Sequence, residues 1–423
     1  MKLKRREWLK TAAAAGASAA VACSPAGTQE DLQSSPADPL DHLTSMTEHV
    51  EPIPLAEFER RLEKARAWMR DGGYSAFVTE SGATLEYLSG VKWGRSERMF
   101  GLVIPLQGAP SFICPAFEEE RARERIRFSE PEVRIWAENE SPYRRVLEAL
   151  QDRGIRTGKV GIEPSTRLFI LSGLRELRPA VELVDGGEIS HGCRRTKSAL
   201  EIEFMRLANQ ITKRTYQIVL GGLEEGLTEA DLRRRISDVH ARLGAVGGAM
   251  ALFGPHSALP HGTQRVRSLQ PGDVVLVDGG CSVNGYQSDV SRTVVYGEPS
   301  DRQKEIWKLV YEAQTLALEA ARPGVTCGDL DRIARSHIEE AGYGPGYEYF
   351  THRLGHGIGL EGHEGPYLVE TNDLPMEPGM SFSNEPGIYV PGEFGVRLED
   401  IMVITSDGAE VLGERSQWKG AEA

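Results

Sequence analysis

The stretch LAEFERRLEKARAWMRDGGY places Leu62, Ala65, Trp68 and Met69 on one helical face and closes on Gly72-Gly73. After it come short apolar runs bounded by turn residues, SAFVTES, MFGLVIP and PSFICP, which read as strands. SPYRRVLEALQDRG returns to the helical period, and KVGIEP and VELVDGG are again strand-like. Helices alternating with strands predict an α/β domain over residues 51–193. Its glycine pairs suit turns, and none forms a phosphate-cradling loop.

The pattern then changes. KSALEIEFMRLANQITKRTYQIVLGGL opens with a capping box, Ser198 and Glu201, and closes on Gly221-Gly222. The domain it begins, residues 194–413, contains an internal echo. GLTEADLRRRISDVH and GVTCGDLDRIARSHIEEAG both start a helix with Thr-x-x-Asp, at Thr228/Asp231 and Thr326/Asp329. Downstream, PGDVVLVDGG matches PGMSFSNEPG, so Asp278 and Glu385 each lie seven residues after the proline of a Pro-Gly turn. Each half continues through a glycine-rich turn to a returning strand with a second acid, Asp289 in SDVSRTVVY and Glu399 in VRLEDIMVI. The expected architecture is an α/β domain followed by an α+β domain with pseudo-twofold symmetry.

Asp278, Asp289, Glu385 and Glu399 sit in or beside apolar strands. Four carboxylates in one core repel and resist ionisation unless positive charge lies among them. Two divalent cations supply it. THRLGHGIGLEGHEGP adds His356 as a neutral imidazole ligand, with Gly355, Gly357 and Gly359 expected to let the backbone approach the metals. The hard, oxygen-rich set points to Mn²⁺ first, with Co²⁺, Fe²⁺ or Zn²⁺ as alternatives. His261, His352 and His363 lie beside these motifs and are assigned to a surrounding layer and to substrate.

The 423 residues carry a net charge of −13, a poor balance for a nucleic-acid binder. No apolar run reaches the length of a membrane-spanning helix. The first 22 residues differ from the rest: five basic residues precede an alanine-rich stretch. Arg5-Arg6 followed by Trp8-Leu9-Lys10 resembles a twin-arginine export signal, and AVAC ending at Cys23 resembles a lipobox. The expectation is an exported, periplasmic or extracytoplasmic protein, anchored to a membrane through lipidated Cys23, with residues 23–50 as a flexible tether. Cys114, Cys193, Cys281 and Cys327 match no zinc or disulfide spacing and read as buried thiols.

At the acidic and histidine motifs the chain resembles the metallopeptidase family of prolidase, aminopeptidase P and methionine aminopeptidase. The resemblance spans about Glu51 to Thr405 and implies a pita-bread catalytic domain. It implies Asp278, Asp289, His356, Glu385 and Glu399 as ligands, with Asp289 and Glu399 bridging. PHG at His261, THRLGH at His352 and GHEGP at His363 match the family's outer histidines, and Arg397 its active-site arginine. LEYLSGVKWGRSERMFGLVIP resembles the creatinase-like N-terminal domain of prolidase and aminopeptidase P, which narrows the activity to Xaa-Pro bonds in small proline-containing peptides. Glu385 is then the proton shuttle, and the three outer histidines hold the intermediate and the proline ring. Xaa-Pro dipeptidase is the first reading; the alternatives are Xaa-Pro aminopeptidase on longer peptides and hydrolysis of a small non-peptide substrate. A dipeptidase needs a cation for the carboxylate after proline, and Arg353, Arg397 and Arg292 are candidates; no arginine lies between His363 and Glu385, where some prolidases carry one on a loop, and that absence counts against a strict dipeptidase. Family members that dimerise suggest a homodimer or higher homo-oligomer, with WGRSER reaching a neighbour's site.

Overall fold

The structure, a computed structural model, describes Leu40 and residues 42–418. The export signal, Cys23 and most of the expected tether lie outside the described residues. The end of that tether is not loose. Met46 N donates to Leu243 O at 2.9 Å, and Thr47 Oγ1 donates to Gly244 O at 2.9 Å. Residues 43–418 belong to one compact unit.

The first domain runs α1 (Leu55–Gly72), β1 (Tyr74–Glu80), α2 (Ala83–Ser89), β2 (Gly101–Pro105), β3 (Ser111–Pro115), α3 (Glu119–Arg125), β4 (Glu132–Trp136), α4 (Pro142–Asp152), β5 (Lys159–Ile162), α5 (Leu168–Glu176), β6 (Glu182–Asp185) and α6 (Gly187–Arg195). Its strands form one mixed sheet, β4-β3-β2-β1-β5-β6. Successive residues point to opposite faces, so Phe77, Leu102 and Phe112 join the core under α1 while Val78, Val103 and Ile113 join the core under α4 and α5. Both faces are covered, which is why the strands read as continuous apolar runs rather than alternating ones.

The second domain runs α7 (Ala199–Leu220), α8 (Glu229–Arg242), β7 (Val246–Phe253), β8 (Val274–Val283), β9 (Tyr286–Gln287), β10 (Val290–Val295), α9 (Asp301–Ala320), α10 (Cys327–Glu340), β11 (Gly355–Gly357), β12 (Glu364–Leu368), β13 (Ser381–Asn384), β14 (Gly387–Val390), β15 (Phe394–Arg397), β16 (Asp400–Ile404) and β17 (Ala409–Val411). One sheet is β10-β8-β7 with β9 on β8; the other is β12-β11-β13-β16-β17. The echo holds in hydrogen bonds. The expected capping boxes form at Ser198, Thr228 and Thr326. Gly226 N and Leu227 O pair with Leu269, and Gly324 N and Val325 O pair with Met376. Thr228 bridges Ser268 as Thr326 bridges Pro375, each three residues before its Pro-Gly turn. This matches the pseudo-twofold arrangement expected from the sequence.

The two domains share buried polar ties. The Arg61 guanidinium, 1% exposed, donates to Tyr286 OH at 2.9 Å, and Tyr286 OH donates to Glu201 Oε1 at 2.6 Å. Lys64 Nζ, half-buried, donates across the boundary to Thr196 O at 3.1 Å and to Thr196 Oγ1 at 3.1 Å. The four described cysteines are free and buried, as expected. Among the described residues no helix is long and apolar enough to cross a membrane.

Candidate metal centre and active site

Each half delivers one acid on or just after a strand and a second just before the returning one. Asp278 lies on β8, in register with Ser291 of β10, and Asp289 immediately precedes β10. Glu385 follows β13, and Glu399 precedes β16. The halves are stitched together at this point, because Glu399 N donates to Ser291 O at 3.1 Å. Three groups of donor atoms, Asp278–Asp289–Glu399, His356–Glu385–Glu399 and Asp289–His356–His363, each close to within 4.8 Å. His356 on β11 places Nε2 3.2 Å from Glu385 Oε1 and 3.8 Å from Asp289 Oδ2. Its Nδ1 faces Gly357 O at 3.1 Å, which orients the ring and leaves Nε2 toward the acids.

The electrostatics fit divalent cations. Burial and the neighbouring Asp278 push Asp289 up to about 8. Burial and Asp289 push Glu399 well above the carboxylate range. Burial would raise Glu385 too, but hydrogen bonding to His356 and the nearby His352 and Arg397 hold it down to about 2. Four carboxylates face one buried guanidinium, Arg397, and Glu399 Oε1 is buried with no hydrogen-bond partner. An oxygen-rich donor set with surplus negative charge and an orphaned carboxylate oxygen suits two hard cations.

Arg397 is fully engaged. It donates to Asp278 Oδ2 at 2.6 Å, Ser291 Oγ at 2.9 Å, Tyr389 OH at 2.8 Å and Pro260 O at 3.2 Å. Tyr389 OH lies 2.7 Å from His352 Nε2, and His352 Nδ1 lies 2.8 Å from Arg353 O. A carbonyl only accepts, so His352 carries its proton on Nδ1 and accepts from Tyr389 through Nε2. Burial holds His352 below the usual imidazole range. Both ring nitrogens are therefore engaged within the protein. His363 stacks on His356 with ring centroids 3.7 Å apart. His261 and His363 are exposed on a cavity of about 730 Å³ whose lining also includes the five acid and histidine donors, His352, Arg353, Tyr347 and Arg397.

Two expectations are corrected. Arg292 does not line the cavity: it donates to Asp400 Oδ1 at 2.8 Å and to Glu399 O at 2.7 Å, fixing the backbone at Glu399. The glycines of the GHGIG stretch are not there for the metals. A Cβ on Gly355 would collide with the Ser383 carbonyl, and one on Gly359 would lie 2.6 Å from Glu364 Oε1 and 3.0 Å from Lys197 Cε. They admit neighbouring strands and a buried ion pair. Two site residues escaped sequence reasoning. Ser291, with Oγ 2.8 Å from Asp278 Oδ1 and 2.7 Å from Glu399 Oε2, lies two residues after Asp289, and i, i+2 spacing was the signal for it. Tyr389, fully buried four residues after Glu385, carried no comparable signal.

Comparison with known proteins agrees with this geometry. The model of metallopeptidase family M24 matches residues 203–406, and that of the creatinase/prolidase N-terminal domain matches residues 61–196. The Xaa-Pro dipeptidase of Lactobacillus delbrueckii subsp. lactis is 35% identical over 359 residues, covering 82% of this chain and 95% of its own. Dipeptidase PepE from Mycobacterium ulcerans superposes with a TM-score of 0.80 at 34% identity, over 88% of this chain and 99% of its own. The prolidase from Thermococcus sibiricus gives 0.78 at 31% identity, over 85% and 98%.

Proposed function

The chain belongs to metallopeptidase family M24, joined to a creatinase/prolidase N-terminal domain, and from that premise we propose that this metallopeptidase is an Xaa-Pro dipeptidase. The observation that carries the dipeptide reading is Arg353. Arg353 lines the cavity, and its guanidinium packs 4.0 Å from the Tyr367 ring centroid with no ion-pair partner among the described residues. Arg397 and Arg292 are occupied, so Arg353 is the cation left for the carboxylate of a C-terminal proline.

Asp278, Asp289, His356, Glu385 and Glu399 would hold two divalent ions. When bound, such ions supply Lewis acidity toward the scissile carbonyl and lower the pKa of water. Glu385, kept ionised, takes the proton of the attacking water and returns it to the proline nitrogen as the C–N bond breaks. His363, braced against His356, and His261 donate to the substrate from the cavity wall. Ser291 and Arg397 hold Asp278 in place. The ion is proposed to be Mn²⁺, on the hardness of the donor set.

The test is metal content and cleavage of Gly-Pro against a longer Xaa-Pro-Xaa peptide in the presence of Mn²⁺. Two metals per chain and cleavage of Gly-Pro alone are expected. Preferential cleavage of the longer peptide would make it an Xaa-Pro aminopeptidase, and a metal-loaded protein inert to both would point to a non-peptide substrate. We further propose export through the twin-arginine signal and anchoring at Cys23. Labelling with radioactive palmitate that persists in Cys23→Ala would refute the anchor. A homodimer is proposed on the exposed Phe117, Leu168 and Phe169 of the first domain, 65%, 73% and 42% accessible. A monomer in light scattering with full activity would refute it.

A further inference from the structure

Beneath the cavity wall that carries Arg353 lies an ion pair that the chemistry above does not use. Asp331 and Arg335 sit one turn apart on α10, 0% and 5% exposed, with their charged groups 3.1 Å apart. A buried pair of this kind is costly to desolvate, and apolar residues could replace it without loss of stability. What this pair does is directional. Arg335 donates to Gly346 O at 3.1 Å, to Phe350 O at 2.7 Å and to His352 O at 2.8 Å. Its guanidinium packs 3.9 Å from the Tyr347 ring centroid and 4.3 Å from that of Phe350. Asp331 Oδ1 accepts from Leu354 N at 2.8 Å, and Leu354 O accepts from Glu385 N at 2.9 Å.

Every anchor falls on one stretch of chain, residues 346–354. That stretch supplies Tyr347, Thr351, His352 and Arg353 to the cavity. One end of the clamp is bonded to the segment that presents Arg353, and the other reaches Glu385 through Leu354. The planar fork of arginine is what allows three carbonyls to be held at once; a lysine ammonium has no such fixed geometry.

Resting on the dipeptidase reading, we propose that the Asp331–Arg335 pair is a specificity-determining positioning element. It sets the distance between the Arg353 carboxylate anchor and the catalytic acids, and so fixes the peptide length the site accepts. Neither residue touches substrate. Removing the clamp lets the wall shift while the metal-binding strands, which come from β8, β10, β11, β13 and β16, keep their own hydrogen bonds.

The test compares Gly-Pro with Gly-Pro amide, which lacks the carboxylate, in wild type and Arg335→Lys holoenzymes of measured metal content. In Arg335→Lys, kcat/KM for Gly-Pro should fall about tenfold or more through KM. The amide should change by less than about threefold and metal content should stay the same, so the preference for the free acid collapses. Should Arg335→Lys not fold, Asp331→Asn removes the charge but keeps an oxygen for Leu354 N, and the same ratios apply. A selective wild type whose ratio is unchanged in the variant, or a variant losing both substrates equally, overturns the proposal alone. A wild type that takes both substrates equally overturns the dipeptidase reading and the proposal with it.

Discussion

At the scale of single residues, the site separates into atoms that react and atoms that hold. Glu385 is the proposed proton shuttle, so Glu385→Gln should lower kcat by about 10²–10⁴-fold while the far-ultraviolet circular dichroism spectrum stays native. Arg353 is the proposed anchor. Arg353→Met should raise KM for Gly-Pro about tenfold or more, measured by initial rates with and without the substrate carboxylate. The four carboxylates were legible in the sequence because Pro-Gly turns and paired hairpins mark where strands deliver them, and His356 stood out in a glycine-rich stretch with two further histidines. Arg292 was misread because sequence does not reveal that Asp400 and the Glu399 carbonyl lie within its reach. Tyr389 was missed because its partners, Arg397 and His352, meet only after the chain closes on itself.

At the scale of elements, the capping boxes and helix ends predicted from sequence agree with the structure, since they depend on neighbours three residues apart. Ser198→Ala should therefore cost about 1 kcal/mol in denaturant melts through loss of the α7 cap. The junction between domains was less visible. Glu364 on β12 is buried against Lys197 at 2.7 Å and against Arg194. Burial alone would raise its pKa, but Lys197 and Arg194 outweigh burial and hold it below the usual carboxylate value. A depressed carboxylate stabilises the fold fully above its unfolded pKa and ceases to do so as pH falls through the folded one. Wild-type stability should accordingly drop on acidification below about pH 4.5, the ordinary carboxylate value. Glu364→Gln, which leaves buried Lys197 without its carboxylate and Arg194 with Glu361 alone, should lose about 3–5 kcal/mol at neutral pH and show a shallower acid limb. Urea melts across pH measure both.

At the scale of the molecule, the metals and the fold are linked. Chelation should abolish activity and lower Tm by roughly 5 °C or more, with Mn²⁺ restoring both, because ions that bind only the native state stabilise it and their loss leaves the carboxylates repelling one another. Calorimetry with and without chelator reads this directly. The matched hydrogen bonds at Leu269 and Met376 carry one more consequence. Each half repeats the same scaffold, yet neither holds all the donors of the proposed centre: the first gives Asp278 and Asp289, the second His356, Glu385 and Glu399. The catalytic centre is thus a property of the seam, as it would be in an ancestral pair of identical subunits later fused into one chain. After such a fusion each copy is free to diverge. A handful of changes along the seam can silence or redirect the chemistry while both inherited scaffolds go on folding as before.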